Sequence, residues 1–185
     1  MDVQTVIELL QHGNQLKRTA RTGWAQRGIA VAESVADHSY GVVFTALVLA
    51  QLVEAPLNLA DVLAMATVHD LAEALTSDIP APAWRFLPPD IKIGSERRAM
   101  EIIVGETTVA GSLLEWWEQL QAAATPEARL VKDADKLEQL LQALTYEMQT
   151  GNRQLAEFWA VPHSFYFPQT QALCDELRRR REAGG

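Results

Sequence analysis

Apolar segments with helical spacing and helix-capping residues run through most of this sequence, and they favour an all-helical fold. Ser34, followed three residues later by Asp37, resembles a capping box with Asp in place of the usual Glu or Gln. Thr125 and Pro126 form a second start signal, an N-cap followed by proline at the first helical position. No convincing β-alternation, internal repeat or low-complexity segment is found. The pattern therefore predicts an all-α, single-domain bundle over residues 1–185.

Three stretches of the sequence are expected to be irregular. One is 17–33, which is rich in Arg, Gly and Thr; another is TSDIPAPAWRFLPPD, which holds four of the eight prolines. The third is the aromatic stretch EFWAVPHSFYF. Between them, helices are predicted at 3–12, 35–53, 59–75, 93–106, 109–122, 126–149 and 168–181.

Charge and cysteine content exclude several classes of protein. The net charge is −8 without a broad basic block, so we expect no nucleic-acid polymer as a partner. Cys174 is the single cysteine, which excludes an intrachain disulfide and a thiolate zinc cluster. The opening residues carry no basic region before an apolar run, and no uninterrupted apolar run reaches membrane-spanning length. We therefore expect a cytoplasmic protein with no membrane partner.

The segment LAMATVHDLAEAL places three polar side chains in an otherwise apolar helix. These side chains, His69, Asp70 and Glu73, are costly to bury without partners. On an α-helix, His69 and Glu73 lie on one face about 6 Å apart along the axis. Asp70 is rotated by about 100° from His69, but near a helix end both can point towards one ion.

A second histidine and a later aspartate complete a candidate metal site. His38 lies in the preceding long helix and Asp135 in a later one, so two imidazoles and two carboxylates come from three helices. This nitrogen and oxygen ligand set suits Mn²⁺, Fe²⁺, Co²⁺, Ni²⁺ or Zn²⁺. In the alternative interpretation, His69 satisfies a buried hydrogen bond and Asp135 pairs with Lys132 or Lys136.

The order of these residues resembles the HD-domain superfamily of metal-dependent phosphohydrolases. The similarity extends to LKRTARTGW, ESVADHSYGV, VHDLAEALTSDIP, EARLVKDADKLEQLLQALTYE and FYFPQTQALCDELRRRR. Together these segments resemble the HD-domain 5′-deoxynucleotidases, which remove phosphate from deoxynucleoside 5′-monophosphates. The resemblance implies a single HD domain, with a metal-site core at about 34–149 and a C-terminal helix at about 168–181.

The same resemblance implies one divalent metal ion. It also implies a homodimer, since members of the family are often dimeric. It places the last metal ligand at Asp135 rather than at Asp133, which lies two positions away on the helix and faces elsewhere. The implied ligands are His38, His69, Asp70 and Asp135.

The resemblance also implies the residues that act on the substrate. Glu73 matches the catalytic carboxylate, Asp78 a second carboxylate of the site, and Arg21 a phosphate-contacting arginine. Trp24 stands at or near the tryptophan that presses on the sugar and disfavours a 2′-hydroxyl, although two residues separate it from Arg21 here. In such a site the metal activates water, Arg21 holds phosphate oxygens, and Glu73 protonates the leaving oxygen.

Other functions stay open at this point. The chain could act on another phosphomonoester or on cyclic or polyphosphorylated nucleotides, or it could bind a nucleotide without turnover. A di-iron oxygenase would need further ligands, and no extra histidine is found near His69 or Asp70. Trp84 and Phe86 could cover a pocket or simply pack in their loop.

Overall fold

Helices make up the framework of this chain. The computed structural model describes residues 2–80, 83, 86 and 88–184. Within these residues there is no strand, and an isolated antiparallel bridge joins Ala20 to Ser34. The all-α prediction is confirmed. The α-helices are α1 (Val3–Gln15), α2 (Thr22–Ala25), α3 (Val35–Leu52), α4 (Leu59–Val68), α5 (Glu73–Thr76), α6 (Pro89–Val104), α7 (Ala110–Gln121), α8 (Pro126–Thr150), α9 (Ala156–Ala160) and α10 (Pro168–Ala183).

The two start signals seen in the sequence both act as caps. The Ser34 hydroxyl accepts the Asp37 backbone N–H at 3.1 Å, and the Asp37 carboxylate accepts the Ser34 N–H at 2.9 Å. This reciprocal pair is the predicted capping box of α3. At α8, the Thr125 hydroxyl accepts the Ala128 N–H at 3.1 Å. Local side-chain chemistry therefore determines where the two central helices begin.

Helices α3 and α8 pack along each other and form the centre of the molecule. Helix α4 packs against both, and α8 also contacts α7 and α10. Their shared core includes Val42, Leu49, Met65 and Leu140. A second apolar cluster joins the end of α4 to α6 and α7. Side chains at the α3, α4 and α8 junction are thus held by rigid, buried backbone on several sides.

The predicted single helix at 59–75 is wrong. Helix α4 ends at Val68, residues 69–72 form a turn, and α5 follows as one short turn. Backbone hydrogen bonds here join residues three apart, such as Glu73 N–H to the Asp70 carbonyl at 3.0 Å. With about 120° per residue in this tighter winding, His69 and Glu73 no longer share one face. The side chains of His69 and Glu73 therefore lie on different faces of this segment.

Three other boundaries also differ from the prediction. The segment 17–33 contains α2, whose first N–H, that of Thr22, donates to the Asp78 carboxylate at 2.8 Å. Helix α6 begins at Pro89 rather than at 93, since proline suits the first helical position. The aromatic stretch is not wholly irregular, because it contains α9.

Helix α3 is long and apolar enough to cross a membrane by length and composition alone. It nevertheless carries the fully buried His38 and contributes Val42 and Leu49 to the core. We therefore interpret its apolar character as that of a central core helix.

A buried carboxylate on α8 binds the backbone that leads into α10. Asp133 is fully buried and accepts the backbone N–H groups of Tyr166 and Phe167 at 2.9 and 3.0 Å. Its orientation agrees with the expectation that it faces elsewhere than Asp135.

We expect Asp133→Ala to lower the free energy of unfolding by about 2–4 kcal/mol, because two backbone donors lose a buried acceptor. Urea denaturation measures this loss. Asp175→Ala on α10 is the control, since that carboxylate makes an exposed hydrogen bond to Gln171, and its effect should stay within about 0.5 kcal/mol. Equal losses in the two variants would contradict a stabilising tether.

Candidate metal centre

Four side chains meet where α3, the end of α4 and α8 come together. The Nε2 atom of His38 lies 3.2 Å from an Asp135 oxygen and 3.7 Å from an Asp70 oxygen. The Nε2 atom of His69 lies 3.2 Å from the same Asp70 oxygen. Donor atoms of His38, His69 and Asp135 all lie within 4.8 Å of one another. The structure therefore brings together all four residues to which the sequence analysis gave ligand roles.

Hydrogen bonds at the far side of each imidazole determine which nitrogen faces the cluster. His69 Nδ1–H donates to the Ala66 carbonyl at 2.8 Å, and His38 Nδ1 lies 2.5 Å from a Glu138 oxygen. Both Nε2 atoms are buried, and within the described part of the chain neither makes a hydrogen bond. Two buried nitrogens that face two carboxylates without a hydrogen bond fit a divalent cation bound between them.

Neighbouring charges shift the pKa values of the cluster residues. Burial and the Arg21 charge act to lower the pKa of His38, but the Asp135 and Glu138 carboxylates outweigh them and raise it to about 10. Burial acts to raise the pKa of Asp70, yet the charges of His69 and Arg21 hold it well below its usual range. Protons on the imidazoles thus balance the carboxylates, and a bound cation would replace those protons.

Arg21 and Asp78 lie beside this cluster. An Arg21 guanidinium nitrogen is 3.4 Å from Asp70 and 4.0 Å from Asp78. Asp78 also accepts the Thr22 N–H at 2.8 Å, and the Thr22 hydroxyl donates to the Asp78 carbonyl at 2.5 Å. Asp78 therefore anchors the start of α2 and, with it, the position of Arg21.

Trp24 is part of the wall on the same side. Its ring is almost fully buried against Phe158, with centroids 4.4 Å apart, and its Nε1–H donates to Glu33 at 2.8 Å. Together with Arg21 and Asp78 it lines a cavity of about 90 Å³. Trp84 lies outside the described residues, and Phe86 is exposed.

Glu73 lines a second cavity, of about 100 Å³, together with His69, Asp70 and Asp135. Its Oε2 atom is buried and makes no hydrogen bond to any described residue. Burial and the negative charges of Asp70 and Asp78 raise the pKa of Glu73 to about 9. The side chain can therefore hold a proton at neutral pH. Lys132 also lines this cavity, and burial lowers its pKa.

The sequence analysis missed the carboxylates behind the cluster. Glu138 contacts His38, and Glu33 holds Trp24 through its indole N–H. A signal for Glu138 was present, because it follows Asp135 by three residues on the same helix. Glu33 lies in the irregular segment before α3, where no periodicity indicates which way it faces.

Comparison with known proteins gives a matching family model, similar relatives and similar solved structures. The HD domain family model matches residues 13–168. The 5′-deoxynucleotidase HDDC2 of Danio rerio is 33% identical over 183 residues, covering 97% of this chain and 89% of that relative. Among solved structures, the Pyrococcus horikoshii OT3 protein PH0347 has a TM-score of 0.73 and 40% identity, covering 83% and 84% of the two chains. A conserved hypothetical protein from Pyrococcus furiosus has a TM-score of 0.80 and 33% identity, covering 94% and 99%.

We expect metal-stripped protein to gain thermal stability when Co²⁺ or Mn²⁺ is added. An ion at 100 times its dissociation constant contributes about 2.7 kcal/mol, which raises Tm by roughly 5–10 °C in a chain of this size. His69→Ala should abolish the shift, whereas His12→Ala on α1 should keep it. If added metal leaves the Tm of His69→Ala unchanged, the proposed metal-ligand cluster is supported. A full shift of Tm in that variant would contradict it.

Proposed function

The chain belongs to the HD domain family, and we propose that it is a metal-dependent phosphohydrolase that removes the 5′-phosphate from deoxynucleoside 5′-monophosphates. One structural observation supports this most: two buried Nε2 atoms without hydrogen bonds face two carboxylates next to a partly buried arginine. Relatives named 5′-deoxynucleotidase align with nearly the whole chain, which supports the substrate class.

We propose that one divalent cation is the cofactor and that the cluster holds it. Nitrogen and oxygen donors suit Co²⁺, Mn²⁺, Fe²⁺, Ni²⁺ or Zn²⁺. Such an ion, when bound, neutralises phosphate charge and makes water more acidic. The ligands in this proposal are His38, His69, Asp70 and Asp135.

Arg21 binds the phosphate in this proposal. The opposing charges of Asp70 and Asp78 outweigh its burial and raise the pKa of Arg21, so its guanidinium stays charged. It lies 3.4 Å from Asp70, so a phosphate at the ligand cluster is within its reach. A guanidinium offers paired N–H donors that match two phosphate oxygens.

Glu73 supplies the proton that the leaving group needs. Water attacks phosphorus, the bond from phosphorus to the 5′-oxygen breaks, and that oxygen takes the Glu73 proton. The protons of the attacking water stay on the released phosphate, and one of them returns to the Glu73 carboxylate. The raised pKa keeps this carboxyl protonated, and a nearby cation would lower the value towards neutrality, where a general acid works best.

Asp78 and Trp24 shape the substrate side of the site. Asp78 keeps Arg21 in place through its contact with the start of α2, and its remaining oxygen faces Arg21 at 4.0 Å. Trp24 lines the same cavity, and we assign it the exclusion of the ribose 2′-hydroxyl. Its rigid packing against Phe158 suits a steric filter.

We further propose that the chain is a cytoplasmic homodimer that acts on small nucleotides. Helix α3 presents an exposed apolar stripe at helical spacing, which supports pairing with a second copy. The acidic net charge of −8 argues against a nucleic-acid polymer as substrate. The stripe consists of Tyr40, Phe44, Leu47, Val48 and Leu52.

The proposed activity predicts metal-dependent phosphate release from dAMP and little release from AMP. After metal removal and readdition of Co²⁺ or Mn²⁺, Glu73→Gln should lower kcat about 10²–10⁴-fold, because the leaving oxygen loses its proton donor. Glu147→Gln is the control: this partly buried carboxylate pairs with Arg181 away from the cluster. Phosphate release is measured for both substrates side by side.

Two results would contradict parts of this proposal. Equal turnover of dAMP and AMP would remove the filtering role of Trp24. Full activity in Glu73→Gln would remove the general-acid role and leave the metal cluster in place. Release from a different phosphoester alone would assign the site to another HD phosphohydrolase activity.

The dimer proposal predicts that Phe44→Asp converts the protein to a monomer, because a charge is placed in the apolar stripe. Light scattering after size exclusion measures the mass. Leu10→Asp, at an exposed apolar position on α1, is the matched control and should keep the wild-type mass. A wild-type monomer, or an unaltered mass in Phe44→Asp, would refute the proposed interface.

A further inference from the structure

Glu138 lies directly behind His38, on the side away from the ligand cluster. Its carboxylate is 2.5 Å from His38 Nδ1, and its side chain is largely buried. It comes from α8, three residues after Asp135, so one helix provides both a carboxylate in front of the imidazole and one behind it. His38 is therefore held between two carboxylates of the same helix.

A glycine on α3 provides the space that Glu138 occupies. A Cβ atom at Gly41 would lie 2.6 Å from a Glu138 carboxylate oxygen and 2.9 Å from its Cγ, closer than real Cβ contacts. Glycine inside a helix is less favourable than alanine. The close approach of Glu138 gives this costly residue a physical reason, one turn after His38.

The contact between Glu138 and His38 is too short to enclose an ion. Glu33, His38 and Glu138 form a second group of potential ligands. A cation between His38 Nδ1 and Glu138 would need about 2 Å to each atom, and hence donor atoms about 3 Å apart or more. Glu33 is also engaged, because it accepts the Trp24 indole N–H. This group is therefore better described as a hydrogen-bonded support for His38.

We propose that Glu138, seated against Gly41, is a positioning residue that aims His38 Nε2 at the metal and raises the basicity of that nitrogen. A carboxylate that accepts the Nδ1–H of a ligating imidazole determines its tautomer and ring orientation. This inference rests on the metal site of the proposed function. It assigns Glu138 no contact with the substrate.

The experiment measures Co²⁺ affinity of the metal-stripped protein by competition with a chelating dye. Glu138→Gln keeps the size of the side chain and removes its charge, and Gly41→Ala pushes the carboxylate away. Both should bind Co²⁺ about 10–100-fold more weakly than wild type. Gly13→Ala, in a helix where an added Cβ meets nothing within 4 Å, should bind like wild type. Wild type should bind one ion per chain.

Thermal unfolding of the same metal-free proteins separates positioning from folding. Glu138→Gln loses a buried ion pair with His38 and is expected to unfold at a lower metal-free Tm, so Co²⁺ affinity is measured at a temperature where every metal-free variant is fully folded, and the proposal expects the affinity to fall there. Wild-type affinity in both variants overturns it. A loss of affinity explained entirely by a lower metal-free Tm also overturns it, as does a second ion in wild type that disappears in Glu138→Gln.

Failure of this inference differs from failure of the proposed function. Wild type that binds Co²⁺ but releases no phosphate from dAMP refutes the proposed activity, while the affinity series still decides the role of Glu138. Wild type that hydrolyses dAMP, with unaltered affinity in both variants, refutes the positioning role alone. Wild type without Co²⁺ binding refutes both.

Discussion

The structure depends on two imidazoles that are buried in the core with their Nε2 atoms facing two carboxylates. Burying such groups without partners is costly, and the surrounding helices offer these nitrogens no hydrogen bond among the described residues. The opposite nitrogen of each ring is fixed, that of His69 by a backbone carbonyl and that of His38 by Glu138. The fold therefore fixes the direction of each imidazole and leaves its inner nitrogen for a ligand.

The turn that follows α4 contributes two neighbouring candidate ligands, His69 and Asp70. Tightening at 69–72 ends the helix there, with the His69 Nε2 atom 3.2 Å from an Asp70 oxygen. The same turn carries Glu73 into the cavity that His69, Asp70 and Asp135 also line. The interruption of α4 is thus part of the site.

Local signals in the sequence predicted the all-α class and the starts of α3 and α8, because caps act over three residues. They did not predict α2, since its first N–H is satisfied by Asp78, 56 residues away. The break in α4 was missed for a related reason: apolar spacing alone does not distinguish one helix from two joined by a tight turn. The spacing of Glu138 to Asp135 could in principle have indicated Glu138. Its role in supporting His38 is visible only in the structure, where His38 and Gly41 lie opposite it.

An acidic chain can bind an anionic substrate because the charges inside the site differ from the net charge. Asp70, Asp78 and Glu73 place carboxyl groups at or beside the cluster, and as carboxylates they would repel an anionic substrate. The site alters this balance: burial and the neighbouring carboxylates keep Glu73 protonated, and the charges of Asp70 and Asp78 keep Arg21 positive despite its burial. A divalent ion at the histidines would add two further charges where the phosphate binds. The formal net charge of −8 counts every residue of the chain, whereas the local field at the cluster is set by a few groups there and by any ion that they hold.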